Sequence, residues 1–185
     1  MTLVSASDED AIARATAALD AGELVVFRGD LRYLVAADAL GDDAVERLFL
    51  AKGRGADRAL TVLLGGYEDL HHVAYGGPEA RALAEAHWPG PTSLLLRARP
   101  WLPDAVTAAQ PHVAVSVPAA PFARALASHF GPIAVASARR AGGPEPLDVA
   151  AARDALGADV SLFLDGGPAP GGEAKVIRGG GLATE

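Results

Sequence analysis

The sequence predicts a single α/β domain spanning residues 1–185, with a twisted mixed sheet and flanking helices. Three observations support this fold class. Short apolar runs of strand length alternate along the chain with segments of helical periodicity. The length of 185 residues suits one domain and is too short for two of ordinary size. Half of the residues are apolar and 21% are charged, which excludes disorder of the chain as a whole.

The first part of the chain shows the order helix, strand, strand, helix, strand. Ser7 and Asp10 offer an N-cap and a capping-box acid for an opening helix that ends at Gly22. Asp42 and Asp43 begin a second helix, which is predicted to end before the KGRG segment. Apolar, β-branched runs predict strands at 24–27, 33–38 and 60–64.

The second part continues the alternation of helices and strands. Pro78 suits the first turn of a helix that runs to His87, where the WPGP segment ends it. A helix at 121–130 is closed by Gly131, and another lies near 147–156. Strands are predicted at 93–98, 113–117, 133–137, 161–165 and 174–178, and a Gly/Pro-rich loop at 166–172.

Charge and composition exclude several classes of function. The net charge of −7 and the pI near 5.2 argue against non-specific binding of nucleic acid or anionic membrane, so phosphate binding requires local clusters of basic residues. The absence of cysteine excludes disulfides, a thiolate nucleophile and cysteine-based metal sites. The five histidines lack metal-ligand spacing, and no metal site is predicted from them.

Other common signatures are missing from the sequence. There is no GxxxxGK[ST] or GxGxxG phosphate motif, and no G-x-S-x-G element for a hydrolase triad. Residues 1–22 do not resemble a signal peptide, and no segment reaches the length of a membrane span. A cytoplasmic location without a membrane partner is therefore expected.

Positive charge is concentrated in three short segments of this acidic chain. The windows 28–32 (RGDLR), 52–58 (KGRGADR) and 137–140 (SARR) hold seven of the 16 basic residues. Each directly follows a predicted strand or helix, where α/β proteins place ligand-binding loops. One interpretation is that the three segments converge into a single anion pocket. The alternative is that they are unrelated solvated charges on loops.

The order of motifs resembles that of the YrdC-like family, whose best-known members are the threonylcarbamoyl-AMP synthases of tRNA modification. The resemblance extends over about residues 10–182. The segments that carry it are GELVVF with RGDLRY, LAKGRG with ALTVLL, HWPGPTSLLL, VAVSVPAAP, GPIAVASA, FLDGG and VIRGG. Together, in this order and at family-like spacing, they support a YrdC-like fold with a concave basic cleft.

The resemblance implies a specific chemistry. In this family the cleft binds ATP with Mg²⁺, threonine and bicarbonate, and the amino-acid carbamate attacks the α-phosphate, which releases pyrophosphate and leaves a carbamoyl adenylate. Lys52 and Arg54 match the Lys-x-Arg motif, which is expected to hold the triphosphate and the carboxylate. Ser137 matches the first position of the Ser-x-Asn motif. These three are the predicted catalytic residues.

Nucleotide and substrate contacts are expected from Arg28, Asp30, Tyr33, Ser93 and Arg139. Residues 28–35 match a family stretch that reads Pro-Thr-Asp-Thr-x-Tyr-Gly-Leu, in which the acid and the tyrosine are kept while the proline and both threonines are lost. The third position of Ser-x-Asn is an arginine here, and a serine follows the WPGPT segment.

A further departure is Ser116, which stands where the family has an arginine. Arg139 adds a full charge and five donors. One interpretation is compensation, in which the phosphate contact has moved from position 116 to Arg139 or Arg28. The other is erosion of the active site, since the loss of several donors lowers the rate by orders of magnitude.

Two main functional hypotheses follow. The first is an enzyme that forms a carbamoyl adenylate from ATP, bicarbonate and an amino acid. The second is a catalytically degenerate paralogue that binds a nucleotide, double-stranded RNA or tRNA, where RNA binding is implied by the resemblance alone. A third is a regulatory partner in a larger modification complex. The sequence does not indicate an oligomeric state.

Overall fold

The computed structural model describes residues 1–53 and 55–179, and a single mixed sheet of nine strands runs through them. The strands are β1 (Thr2–Ser5), β2 (Val25–Arg28), β3 (Tyr33–Asp38), β4 (Thr61–Leu63), β5 (Thr92–Arg97), β6 (His112–Ser116), β7 (Ile133–Ser137), β8 (Leu162–Asp165) and β9 (Lys175–Arg178). Their order across the sheet is β1-β8-β2-β3-β7-β4-β6-β5-β9. The pairs β1–β8, β8–β2, β4–β6 and β5–β9 are parallel, and the other neighbours are antiparallel.

Helices cover both faces of this sheet. They are α1 (Ala11–Asp20), α2 (Asp42–Lys52), α3 (Pro78–His87), α4 (Asp104–Thr107), α5 (Pro121–Phe130) and α6 (Val149–Leu156), with a 3₁₀ helix at Tyr67–His72. Side chains of α1 and α5 pack in one buried cluster, while those of α2, α3, α4 and α6 pack in another. The sheet therefore separates two hydrophobic cores.

The alternation of side chains along the strands explains how one sheet contributes residues to two hydrophobic cores. In β3, Val35 and Ala37 belong to the larger cluster, whereas Ala36 between them belongs to the cluster of α1 and α5. In β2, Val26 points into the larger cluster and Phe27 into the smaller one. Successive residues of a strand face opposite sides, so continuous apolar runs are needed where both faces are covered.

The ends of α2 are well adapted to the helix dipole. Asp42 and Asp43 lie in its first turn, and Lys52 lies in its last turn. Gly53 follows with a left-handed backbone conformation, at φ 62°, and closes the helix. This termination fixes the position of Lys52 at the edge of the sheet.

All eight predicted strands are present, and no strand end differs from its prediction by more than one residue. The prediction for the first helix was wrong at its start: α1 begins at Ala11, and the Ser7 hydroxyl contacts the Ser5 hydroxyl at 2.8 Å instead of capping the helix. Asp10 precedes the helix without a side-chain cap and pairs with Arg14 at 2.7 Å. Strand β1 was not predicted, because it pairs with β8 from the far end of the chain and has little apolar content of its own.

Within the described ranges, the structure contains no helix with the length and hydrophobicity needed to cross a membrane.

The smaller core offers a test of this packing. Leu126 of α5 is fully buried there, so Leu126→Ala is expected to lower the free energy of unfolding by about 2–5 kcal/mol through lost burial and a residual cavity. Leu50 of α2 is 70% exposed, so Leu50→Ala is expected to change the free energy of unfolding by less than about 0.5 kcal/mol. Urea denaturation measures both, and equal losses for the two variants would contradict the arrangement of α5.

Candidate functional site

Strand pairing brings parts of the three basic windows to the same end of the central strands β2, β3 and β7. Strands β2 and β3 form a hairpin whose turn is the first window, 28–32. Strand β7 runs antiparallel to β3 with Leu34 opposite Ser137, so the third window, 137–140, begins beside that hairpin. Helix α2 packs against β3 and brings Lys52 to the same end. Residues remote in sequence thus become neighbours.

Lys52 is the most buried charged side chain in the described residues, at 3% exposure. Its ammonium group donates hydrogen bonds to the main-chain carbonyl of Ser137 and, at 2.8 Å, to that of Arg139. The main-chain N–H of Ala141 donates in turn to the carbonyl of Lys52 at 2.9 Å. The end of α2 is therefore bound to the segment that follows β7, and Lys52 holds the main chain of Ser137 and Arg139.

A cavity of about 390 Å³ opens beside these residues and is called the Lys52 cavity. It is lined by Lys52, Asp57, Arg58, Ala136, Ser137, Arg139, Arg140, Ala141 and Gly142. Four cationic side chains and one carboxylate thus share its wall. Arg140 also pairs with Asp159 at 2.8 Å. Lys52 and Ser137, two of the three predicted catalytic residues, lie together here, whereas the third, Arg54, lies outside the described residues.

Glu145 joins the first window to the third. One of its carboxylate oxygens, Oε1, accepts from Arg32 at 2.9 Å and from Arg139 at 2.8 Å. The other, Oε2, accepts from the Ser137 hydroxyl at 2.5 Å. These four residues are called the Glu145 cluster. Two predicted site residues therefore already hold an oxyanion, which belongs to the protein itself.

The pKa of Glu145 reflects this surrounding. Partial burial acts to raise the pKa of the carboxyl, but the hydrogen bond from Ser137 and the charges of Arg32 and Arg139 outweigh it and hold the pKa below its usual value. The side chain of Glu145 is 35% exposed, so solvent moderates the strength of these contacts. Glu145 carries a negative charge at neutral pH.

Neither Glu145 nor Arg32 is a site residue predicted from the sequence. Glu145 lies in an irregular loop after the third window, in a segment with no motif. Only the excess of cations in the windows indicated that a counter-ion was needed. Which acid supplies it depends on the path of the loop.

Arg28 and Asp30 lie on a second cavity, of about 410 Å³, which is called the Arg28 cavity. The Asp30 carboxylate accepts from the main-chain N–H of Ala119 at 3.1 Å and of Ala120 at 2.6 Å, immediately before α5. The Arg28 guanidinium donates to the carbonyl of Gly166 at 3.1 Å. In this structure both side chains therefore bind other parts of the chain, and Asp30 anchors the start of α5.

Ser93 lies in a third, smaller cavity of about 120 Å³, which is called the Ser93 cavity. The hydroxyl-bearing residues Thr61, Ser93 and Ser116 line it together with apolar side chains that include Leu63 and Val135. Arg32 also lines this cavity, so Arg32 links it to the Glu145 cluster. Ser93 and Arg139 are thus near opposite ends of one connected set of residues.

Tyr33 is fully buried and lines none of these three cavities. Its hydroxyl donates to the carbonyl of Gly167 at 2.8 Å and accepts from the N–H of Gly166 at 3.1 Å. Burial raises the pKa of Tyr33 above its ordinary value of 10.0. In this arrangement Tyr33 holds the turn after β8 against the start of β3.

The described residues contain no group of three or more histidine, aspartate or glutamate side chains placed to hold a metal ion.

The fold and this site define a class: an α/β protein with a mixed sheet and a cavity lined by cationic side chains at the sheet edge. A family model for Sua5, YciO and YrdC proteins, described as telomere recombination, matches residues 17–179, and the chain belongs to this family. The predicted resemblance to the YrdC-like family is confirmed.

Relatives with assigned names support the same conclusion. A putative threonylcarbamoyl-AMP synthase of Mycobacterium tuberculosis strain H37Rv is 37% identical over 186 residues, which cover 94% of this chain and 86% of the relative. The threonylcarbamoyl-AMP synthase of Pyrococcus abyssi is 35% identical over 177 residues, covering 89% of this chain. The matched region spans 52% of that archaeal protein, so this chain corresponds to about half of its length.

Solved structures match the fold over nearly the whole chain. The crystal structure of P. abyssi Sua5 complexed with L-threonine has a TM-score of 0.92 and 32% identity, and covers 99% of this chain and 56% of that one. Escherichia coli YciO has a TM-score of 0.82 at 20% identity, covering 95% of this chain and 87% of that one, which shows the shared fold alone.

The buried hydroxyl of Tyr33 offers a test of the site's framework. Tyr33→Phe keeps the ring but leaves the Gly167 carbonyl and the Gly166 N–H without this partner, so the free energy of unfolding is expected to fall by about 1–3 kcal/mol. Tyr75→Phe serves as the control, because that ring is 44% exposed, and a change below about 0.5 kcal/mol is expected. Chemical denaturation compares the two, and an unchanged Tyr33→Phe would contradict the role given to the hydroxyl.

Proposed function

We propose that this protein is an L-threonylcarbamoyl-AMP synthase, which forms a carbamoyl adenylate from ATP, bicarbonate and L-threonine. The observation that carries the proposal is the meeting of Lys52, Ser137 and Arg139 on one cavity, in a chain whose relatives bear this activity in their names. The complex of P. abyssi Sua5 with L-threonine supports the choice of amino acid.

The Lys52 cavity is the proposed position of the triphosphate. Lys52, Arg58 and Arg139 line it, and arginine offers paired donors that match phosphate oxygens. Arg54, two residues beyond Lys52, is proposed to add a further donor. Mg²⁺ bound to ATP is held largely by phosphate oxygens and water, so the nucleotide itself would supply most of the ligands of that ion.

The Ser93 cavity is the proposed position of the amino acid. Its walls combine apolar surface from Leu63 and Val135 with the hydroxyls of Thr61 and Ser93. A hydroxyl-bearing side chain such as that of threonine would find both kinds of partner there, and a pocket that bonds a substrate hydroxyl discriminates against analogues without it. Arg32 of the Glu145 cluster also lines this cavity.

The proposed reaction has two steps. The amine of threonine condenses with bicarbonate to a carbamate, with loss of water. A carbamate oxygen then bonds to the α-phosphorus of ATP, the bond from that phosphorus to the bridging oxygen breaks, and pyrophosphate leaves with the electron pair. Cationic side chains already in place around the leaving group stabilise its growing negative charge.

The departures from the family pattern favour compensation over erosion. Position 116 is a serine, so it supplies no cation to this side of the site. Its hydroxyl donates to the carbonyl of Thr92 at 3.1 Å. Arg139, in contrast, lines the Lys52 cavity, and its guanidinium is held by the Gly143 carbonyl and the Glu145 carboxylate. We propose that the phosphate contact has moved to Arg139.

Pyrophosphate release from ATP with bicarbonate and L-threonine tests this function. Lys52→Met keeps much of the volume of the side chain but removes the charge, and Arg54→Ala removes the predicted second cation. Each is expected to lower the rate by about 100-fold or more, the effect of losing a stabilising donor. Lys175→Met is the matched control: it replaces the only other lysine, which is exposed on β9, and wild-type release is expected.

Release at background level by the wild-type protein would contradict the enzymatic proposal. If ATP still bound under those conditions, calorimetry would favour the nucleotide-binding paralogue instead. If folded Lys52→Met and Arg54→Ala variants released pyrophosphate at the wild-type rate, the activity would not depend on the Lys52 cavity.

A further inference from the structure

The Glu145 cluster has the composition of a binding site for a charged ligand. Two guanidinium groups, of Arg32 and Arg139, contact one oxygen of Glu145, and the Ser137 hydroxyl contacts the other. Arginine forks and hydroxyls are the groups that proteins use to bind phosphate and carboxylate ligands. The ligand in this structure is the protein's own carboxylate.

We propose that Arg32, Ser137 and Arg139 form a binding site for a phosphate group, and that Glu145 occupies it as an internal competitor which the phosphate displaces. The inference rests on the proposed function only in taking that phosphate to belong to a nucleotide. It adds Arg32, which no family motif indicated, to the groups that bind the ligand. It also gives Glu145 a role that opposes binding.

Charge favours a phosphate over a carboxylate as the incoming ligand. Two arginines against one glutamate leave the cluster with an excess of one positive charge, and Lys52 and Arg58 line the adjoining cavity. A phosphate group with two negative charges would neutralise that excess when it replaces the Glu145 carboxylate. An incoming carboxylate has the same single charge as Glu145, so it would leave the excess unchanged. The resident carboxylate, being tethered, acts like a competitor at millimolar concentration.

The position of Glu145 allows displacement. Its side chain is 35% exposed, and those of Arg32 and Arg139 are 23% and 31% exposed, so the ion pairs lie at the boundary with solvent and are individually weak. Glu145 belongs to the irregular segment between β7 and α6, outside any helix or strand. The arginines are held in part by other contacts, since Arg32 also donates to the carbonyl of Gly172 and Arg139 to that of Gly143.

Calorimetric titration with inorganic pyrophosphate tests the proposal without catalysis. Glu145→Gln is expected to bind pyrophosphate about tenfold more tightly than the wild type, because a competitor that fills the site about 90% of the time reduces the apparent affinity by that factor. Glu85→Gln is the matched control: Glu85 also pairs with an arginine, Arg81, at 3.5 Å, and its removal changes the net charge equally. We expect that control to stay within about twofold of the wild type at physiological ionic strength.

A double variant separates site formation from overall charge. Arg32→Gln combined with Glu145→Gln is expected to lose the gain in affinity, because the phosphate then has one guanidinium fewer. Pyrophosphate affinity of Glu145→Gln equal to or below that of the wild type would overturn the proposal. So would an equal gain in Glu85→Gln, or a gain for L-threonine in place of pyrophosphate.

These outcomes are distinct from those of the enzymatic test. A tenfold gain for pyrophosphate in a protein that releases none from ATP would leave the phosphate site standing and remove the proposed activity. Active release of pyrophosphate from ATP, together with unchanged pyrophosphate affinity in Glu145→Gln, would support the proposed activity and remove the role given to Glu145.

Discussion

The ammonium group of Lys52 joins the end of α2 to the segment after β7, and the geometry of the site depends on this contact. A buried charge is costly unless it is hydrogen-bonded, and Lys52 meets that requirement with the carbonyls of Ser137 and Arg139. The side chains of the same two residues are held by Glu145, which contacts the Ser137 hydroxyl and the Arg139 guanidinium. One buried cation therefore fixes the main chain of the segment that carries Ser137 and Arg139 on the wall of a single cavity.

The remaining cations extend this arrangement across an acidic protein. The chain has a net charge of −7, yet Arg32 and Arg139 lie close enough to share one oxygen of Glu145. The repulsion between like charges so close is offset by a neighbouring anion, whether it comes from the protein or from a ligand. Glu145 supplies it in this structure. The same local charge that stabilises the fold with Glu145 in place would stabilise a bound phosphate in its absence.

Local patterns were sufficient to predict most of the fold. The runs at 33–38 and 133–137 are buried on both faces, so their apolar character is continuous and easily identified. Strand β1 was not predicted because its partner, β8, lies some 160 residues away and only one of its four residues is buried. The start of α1 was misplaced because Ser7 has the right chemistry for a cap but belongs to the preceding turn.

The candidate site was predictable only in part, for related reasons. Lys52 and Ser137 were identified through family motifs, and the structure places them in contact through the main chain. Tyr33 and Asp30 carry the same motif evidence, but in this structure their polar groups bind the chain itself. Glu145 could not be predicted, because its position is set by the path of a loop that has no periodicity. Tertiary contacts, which leave no local pattern, decided these roles.

The most direct measurement is a crystal structure with a non-hydrolysable ATP analogue and L-threonine. We predict that the triphosphate lies in the Lys52 cavity, within hydrogen-bond distance of Arg139 and Ser137, and that the Glu145 carboxylate has left the two arginines. A triphosphate bound elsewhere, or bound with Glu145 still held by Arg32 and Arg139, would contradict it.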